Sequence, residues 1–494
     1  MKTEKLIIKN TFYLTAGKGL GDLLTFLFLI YFARIFGTDI LGKYGFAMSL
    51  CGLLTVFVSL GLNSYMVRDI SQDKTRNAKY VGNLLTTQVV LAVLIWILIL
   101  SIAFALNLPT DTRIILVLMG GFHVFLKLST HFGSVFRAHE DMHYTALLEI
   151  FHKILILGLG ISSILLWKNP VITLAAYPIS SFARFALGFF ICVKKYGWPD
   201  LKFDYGFIKD SLIQANPFFI GALLEQFYDR IGLIILTFFN GESAAGVYWA
   251  ADRLLAALSA GLGIFGAATF PVMARLSAES KEALFKLSER SIRFMLIAVL
   301  PFATLLYVAA RPIMLLLYGN RFVESILILK IISWRLVFIG INLVLSSLLL
   351  VTFHQREWVK IKLLVYVGYG IFCLILIPRY SYVGLAYAKL FAEILLVLVA
   401  YAYARKTVHD IPMFKMANGS VLACLLAILV SYLMANIAWW LTVPVVVMVC
   451  VSGLFLFKGI ALHDLVFFKN IMMTNTAAVV DEQDDSGYLR KPVP

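Results

Sequence analysis

Charge is scarce in this chain: Asp, Glu, Lys and Arg make up 14% of its 494 residues, against 61% hydrophobic. A soluble domain of this size carries roughly 25% charge, so this composition excludes an ordinary water-soluble protein. Long polar stretches are missing too. Apolar runs of about 17–25 residues recur about fourteen times, leaving little sequence for any domain outside a membrane. No extramembrane domain is therefore expected to hold a glycosyl donor. There is no G-x-x-x-x-G-K-[ST], which excludes ATP hydrolysis at a P-loop, and no G-x-S-x-G nucleophile motif. The five cysteines, Cys51, Cys192, Cys373, Cys424 and Cys450, show no C-x-x-C and no paired spacing. They read as small apolar side chains of the spans and leave the redox compartment open.

What charge there is has a pattern. The net charge is +15, and Lys and Arg concentrate in every second connection: Arg68–Lys79, Lys194–Lys209 and Arg275–Arg293. Placing the amino terminus in the cytoplasm puts roughly 27 basic residues inside, roughly 7 outside and roughly 9 within spans. Topology thus accounts for the positive charge, and no nucleic-acid partner is expected. The opening MKTEKLIIKN is basic, but the apolar run behind it is too long for a signal peptide and lacks a small-residue cleavage site, so it reads as an uncleaved first span. The expectation is an all-α, multi-pass cell-membrane protein with both termini cytoplasmic. The last two spans, Ala417–Trp440 and Leu441–Ile460, have little turn between them. Beyond them, Ala461–Met473 reads as an interfacial segment and the acidic end as disordered.

One pattern is written twice. GTDILGKYGFAMSL (Gly37–Leu50) and GESAAGVYWAADRL (Gly241–Leu254) both fit G-x4-G-x-Y-x2-A-x2-L. Each begins in an external connection and enters the next span. The copies lie six spans apart, an even number, so the two units enter the membrane in the same sense, as a parallel repeat about an axis along the membrane normal. Glycine and small residues there permit close backbone approach, on which helix contacts in lipid depend.

Phe32–Ser71 resembles the amino-terminal signature of the polysaccharide-export flippases, the Wzx-type O-antigen and teichoic-acid exporters. Ile213–Leu258 resembles the opening of their second half, including Asp229 after a polar start to that span. Val135–Ile150 and Leu376–Glu393 are similar to later connections. The resemblance reaches to about residue 404. It implies the multidrug/oligosaccharidyl-lipid/polysaccharide exporter superfamily: six-helix lobes at 1–209 and 210–404 related by a pseudo-twofold axis, then two added helices within 405–460 and a cytoplasmic segment, 461–494. It implies a polyprenyl-diphosphate oligosaccharide as substrate, with the polymerase and glycosyltransferases of the same pathway as partners, and no enzymatic activity. No cofactor is expected beyond a coupling H⁺ or Na⁺, and a monomer is the default.

Charges at membrane depth are the candidates for mechanism, because each costs about 2.5–3.5 kcal/mol unless paired or hydrated. In the first half these are Lys18, Asp22, Lys127, Glu149, Lys153 and Arg184, with His123, Lys127 and His131 on one helical face. In the second they are Glu225, Asp229, Arg230, Asp252, Arg253, Lys330, Arg335, Lys389 and Glu393. Lys18 with Asp22, Glu149 with Lys153, and Lys389 with Glu393 have the i, i+4 spacing of self-neutralising pairs. Read as unpaired cations, Lys18, Lys127, His131, Arg184, Arg253 and Arg335 are candidates to line a cavity that receives the diphosphate. Glu225, Asp229, Asp22 and Asp252 are candidates for ion coupling, since desolvation and like charge raise a carboxylate pKa. A drug or cation exporter of the same superfamily is the nearer rival, with an acidic cavity expected.

A second rival comes from HEDMH, His139–His143. On one continuous helix this H-E-x-x-H would place two imidazoles for Zn²⁺ with Glu140 as general base. Glu149 and His152 lie too near on the same helix to complete a tetrahedral site, so no metal is expected.

Overall fold

The computed structural model describes residues 2–434 and 437–457, with side chains for all of these except 2–18, 20, 414 and 415. The Lys18 side chain and the segments 461–473 and 474–494 therefore lie outside what is described. Among the described residues every regular element is a helix: α1 (Lys2–Leu54), α2 (Val56–Ser59), α3 (Leu62–Gln72), α4 (Asn77–Ala105), α5 (Thr110–Ala138), α6 (Met142–Trp167), α7 (Pro170–Tyr196), α8 (Tyr205–Glu279), α9 (Lys281–Val308), α10 (Ala310–Tyr318), α11 (Ser325–Ser333), α12 (Arg335–Val351), α13 (Gln355–Thr407), α14 (Met413–Leu433) and α15 (Trp439–Leu456). Eleven stretches among the described residues are helical, long and apolar enough to cross a membrane, as a multi-pass membrane protein requires.

Three of these helices are too long to cross a bilayer once. α1, α8 and α13 contain 53, 75 and 53 residues, and each is broken by one residue with non-helical dihedrals: Gly37, Gly241 and Ser381. Side chains far apart in sequence meet across each break. The rings of Phe32 and Tyr44 are 6.0 Å apart, Tyr228 and Tyr248 both flank the Lys389 ammonium at 5.9 and 5.8 Å, and Phe372 meets Phe391 at 6.4 Å. On a straight helix rising about 1.5 Å per residue none of these pairs could touch. Each long helix is a hairpin. Gly37 (φ 82°, ψ −171°) and Gly241 (φ 83°, ψ 177°) occupy a region essentially closed to residues with a Cβ.

Local sequence explains the other ends. Asn169 caps α7, accepting hydrogen bonds from the backbone N–H of Val171 and Ile172 at 2.9 and 3.3 Å, with Pro170 in the first turn. Ser280 caps α9 through the N–H of Ala283. The basic stretch 281–293, read from sequence as loop, thus forms the first turns of α9. The apolar run Gly42–Val67, long enough to read as one span, is interrupted at Leu60 (φ 41°) and Gly61 (φ 76°).

The chain divides into two compact units. One comprises residues up to Ala257 with Ile313–Ile328 and Lys362–Ala392; the other comprises Leu258–Pro312, Leu329–Ile361 and the chain from Glu393 onward. In the first, Leu62, Met66, Phe132, Val135 and Phe136 form part of a buried core where α3, α4, α5 and α7 meet. In the second, α9 packs against α12, α14 and α15.

Candidate functional site: charged clusters beside a repeat seam

The repeated stretch makes its own contact. A Cβ on Gly42 would stand 1.7 Å from the Glu242 carbonyl oxygen, and one on Gly246 would stand 1.9 Å from that of Thr38. Each copy's second glycine thus meets the residue following the first glycine of the other copy, a reciprocal contact of the isologous kind. Thr38 Oγ1 and Ser243 Oγ approach to 3.2 Å beside it. Lys43 closes the seam: its side chain is 8% exposed, and its ammonium reaches Asp39 at 3.0 Å, Asp111 at 2.5 Å and Glu242 at 3.6 Å. The Thr112 hydroxyl donates to Glu242. Sequence reasoning missed this group because it looked for charges inside spans. The i, i+4 spacing of Asp39 and Lys43 was the available signal.

Deeper in the first unit, α1, α5, α6 and α7 bring a second group together. Arg184 Nη1 lies 2.6 Å from Glu149, and its Nε donates to Ser129 Oγ at 3.1 Å. Lys153 lies 3.9 Å from Glu149 and 3.7 Å from Asp22. A third group surrounds the second repeat. Asp252 accepts from Arg253 at 3.0 Å, Lys389 stands 3.5 Å from Asp252, and the Tyr248 hydroxyl donates to the same carboxylate at 3.3 Å. Arg253 also lies 4.0 Å from the Trp249 ring centroid. In the second unit Arg335 meets Glu393 at 3.5 Å, and Asn342 Nδ2 donates to the other oxygen of that carboxylate at 3.1 Å.

These placements correct the premise that the candidate cations are unpaired. Arg184, Arg253 and Arg335 each have a carboxylate. Asp22 meets Lys153, and Lys389 and Glu393 find their described partners, Asp252 and Arg335, on other helices. Glu225 pairs with Lys362. Glu225 and Asp229 both lie on the outside of the packed helices. His131 and His123 are buried, while Lys127 is half-buried and makes no ion pair among the described residues.

Arg230 is another residue whose partners the sequence did not reveal. Its guanidinium donates to the Met48 carbonyl and, at 2.6 Å, to the Gln226 side chain. It lies within electrostatic reach of Lys127, His123 and Arg253 and of one carboxylate, Asp229.

The H-E-x-x-H reading fails on geometry. α5 ends at Ala138, Glu140 takes a left-handed conformation (φ 64°), and α6 begins at Met142. His139 and His143 therefore lie on opposite sides of a helix break. His139 Nδ1 meets the Val135 carbonyl at 3.0 Å. No group of three His, Cys, Asp or Glu suited to a metal occurs among the described residues.

The sequence and the architecture have counterparts. Capsular polysaccharide biosynthesis protein CapF of Staphylococcus aureus is 22% identical over 418 residues, which is 81% of this chain and 100% of CapF. A putative O-antigen transporter of Shigella dysenteriae is 27% identical over 190 residues, 38% of this chain and 47% of that protein. Among solved structures, the lipid II flippase MurJ in an inward closed conformation aligns with a TM-score of 0.74 at 17% identity, covering 91% of this chain and 99% of that one. An inward-facing multidrug resistance MATE family transporter aligns with a TM-score of 0.63 at 16% identity, covering 78% and 94%. The fold is thus shared with membrane transporters. The family model described as "Polysaccharide biosynthesis protein" matches residues 7–277, more than half of the chain and both copies of the repeat. The chain belongs to the polysaccharide biosynthesis protein family.

Proposed function

We propose that this protein is a flippase that carries a polyprenyl-diphosphate-linked oligosaccharide from the cytoplasmic to the outer leaflet by alternating access. One observation carries the substrate reading. Lys127 and Arg230 lie within electrostatic reach of each other, Arg230 hydrogen-bonds to neutral groups with Asp229 as the one carboxylate in its reach, and Lys127 has no ion pair among the described residues. Two like charges in a low dielectric repel, and a diphosphate brought between them relieves that cost. A cavity built for cationic drugs would carry the opposite excess, so the polarity of this pair weighs against the exporter reading.

In this mechanism the lobes 1–209 and 210–404 rock about their twofold axis and part at the glycine seam. The sugar head group crosses in water beside Lys127, Arg230 and Arg253, while the prenyl chain stays in lipid. Transport is coupled to H⁺ or Na⁺ through carboxylates of the same region. Of Asp22, Glu225, Asp229 and Asp252, the last is buried between Arg253 and Lys389, where a change of its charge alters the hold on both cations. Both termini face the cytoplasm, and the protein works as a monomer beside the polymerase and glycosyltransferases of its pathway.

The test is flipping of a fluorescent polyprenyl-diphosphate sugar in proteoliposomes. Lys127→Ala combined with Arg230→Gln is expected to lower the initial rate more than about tenfold, a loss of about 1.4 kcal/mol of stabilisation. Undiminished flipping at equal protein density would overturn the cationic reading. Asp252→Asn is expected to flatten the dependence on pH or Na⁺; an unchanged dependence removes it as the coupling group.

A further inference from the structure

Two cavities in the second unit play no part in the mechanism above. The first, about 300 Å³, lies where α9 ends, α14 ends and α15 begins. Its wall includes Arg311, Lys330, Tyr307, Tyr432, Trp439 and Thr442. Arg311 is exposed, and the Lys330 ammonium stands 5.4 Å from the Tyr307 ring centroid. Neither cation meets a carboxylate among the described residues. The second cavity, about 190 Å³, is walled by groups that include Pro301, Phe302, Leu305, Val446, Val447 and Val451.

The two cavities share one register. On α15, Trp439, Thr442 and Val443 of the first are followed by Val446, Val447 and Val451 of the second, at steps of three and four that keep one helical face. On α9, Pro301, Leu305 and Val308 do the same. The two cavities thus line up along α9 and α15 as one furrow would, cationic and aromatic at one end and apolar further along. From Trp439 to Val451 it extends about 18 Å at 1.5 Å per residue, the reach of an acyl chain. The mouth lies at the turn joining two spans, the boundary level at which tyrosine, tryptophan, lysine and arginine meet lipid head groups.

We propose that this furrow holds one anionic glycerophospholipid of the surrounding membrane, its phosphate between Arg311 and Lys330 and one acyl chain in the slot lined by Leu305 and Val446. Charge complementarity selects an anionic head over a zwitterionic one, because the two cations meet no carboxylate among the described residues. The apolar slot selects a lipid over a soluble phosphate. A mouth of about 300 Å³, at the small end of ligand pockets, suits a glycerol phosphate head group. The site is independent of the transport reading and stands whether or not the protein flips a glycan lipid.

The experiment is native mass spectrometry of the full-length protein with added phosphatidylglycerol, phosphatidylcholine or inorganic phosphate. One phosphatidylglycerol is expected to be retained, in about tenfold preference to phosphatidylcholine. Arg311→Ala with Lys330→Ala should lower that retention about tenfold, and Arg311→Lys with Lys330→Arg should keep it. Leu305→Trp, which fills the slot and spares the cations, should lower it as well. Equal retention of the two lipids overturns the proposal, as does retention unaffected by the double alanine variant. Displacement by millimolar phosphate would mark a soluble-anion site instead, and displacement by a polyprenyl-diphosphate sugar would make it a substrate site. If the alanine variant does not fold, equal retention by the Leu305→Trp and wild-type proteins overturns the proposal by itself.

Discussion

Arg184 and Glu149 show what one residue in this membrane domain is worth. Arg184 is 7% exposed and Glu149 26%, and the pair shares Lys153 and Ser129. Removing one partner of a buried pair costs about 3 kcal/mol when the other charge is left alone. Lys153 stays 3.9 Å from Glu149, so Arg184→Ala is expected to lower stability in detergent by less than that, with Arg184→Met/Glu149→Leu recovering most of it. If the double variant is as unstable as the single one, the ion pair is not the cause. Asp141, in the turn between α5 and α6, gives a second measurement. Burial alone would raise its carboxyl pKa, but Lys195 at 2.6 Å and the Tyr196 hydroxyl at 2.5 Å outweigh burial and hold it below the usual carboxylate range. A depressed pKa contributes stability above the unfolded value, and the contribution is lost as pH falls through the folded one. Asp141→Asn is thus expected to melt below the wild type at about pH 6 and to converge with it only as the pH falls below the usual carboxylate range. A gap that persists in acid would assign the effect to packing.

At the scale of elements, glycine sets the architecture. Gly37 and Gly241 reverse the chain where a Cβ costs about 1–3 kcal/mol, and Gly42 and Gly246 let two backbones touch. Gly246→Ala drives a methyl into the Thr38 carbonyl, and no rotamer relieves it. The variant is expected to open the seam, raising the rate at which a cysteine at Ser243 reacts with a membrane-impermeant thiol reagent by about tenfold, equivalent to 1.4 kcal/mol. Unchanged reactivity would show that the seam yields elsewhere. These glycines were legible in the sequence because their spacing repeats, and the apolar runs were legible because bilayer thickness fixes their length. The break inside Gly42–Val67 was not: Leu60 is an apolar residue in a left-handed conformation, which hydropathy cannot register. The partners of the buried charges were hidden for a similar reason. Spacing along one helix proposed Lys389 with Glu393, and it gave no sign that the fold brings Lys389 to Asp252, 137 residues away. Such pairs depend on which helices become neighbours. The helical start of α9 was missed because a basic stretch reads as a connection, although Ser280 is a capping residue.

For the whole molecule, the seam is where rocking must be felt if the lobes alternate. Thr38 Oγ1 and Ser243 Oγ are close enough for a bridge between cysteines at the two positions. Thr38→Cys/Ser243→Cys is expected to stop flipping on oxidation and to regain it on reduction. Flipping that continues with the bridge closed would rule out separation at this seam. Lys43 has a further consequence for the direction of traffic. It is one ammonium set among Asp39, Asp111 and Glu242, so the closed seam already carries more negative than positive charge. Parting the repeats would draw Glu242 from Lys43 and leave carboxylates on both lips of the opening. Under the proposed function, an anionic head group that has passed these lips meets a repulsive field that opposes its re-entry.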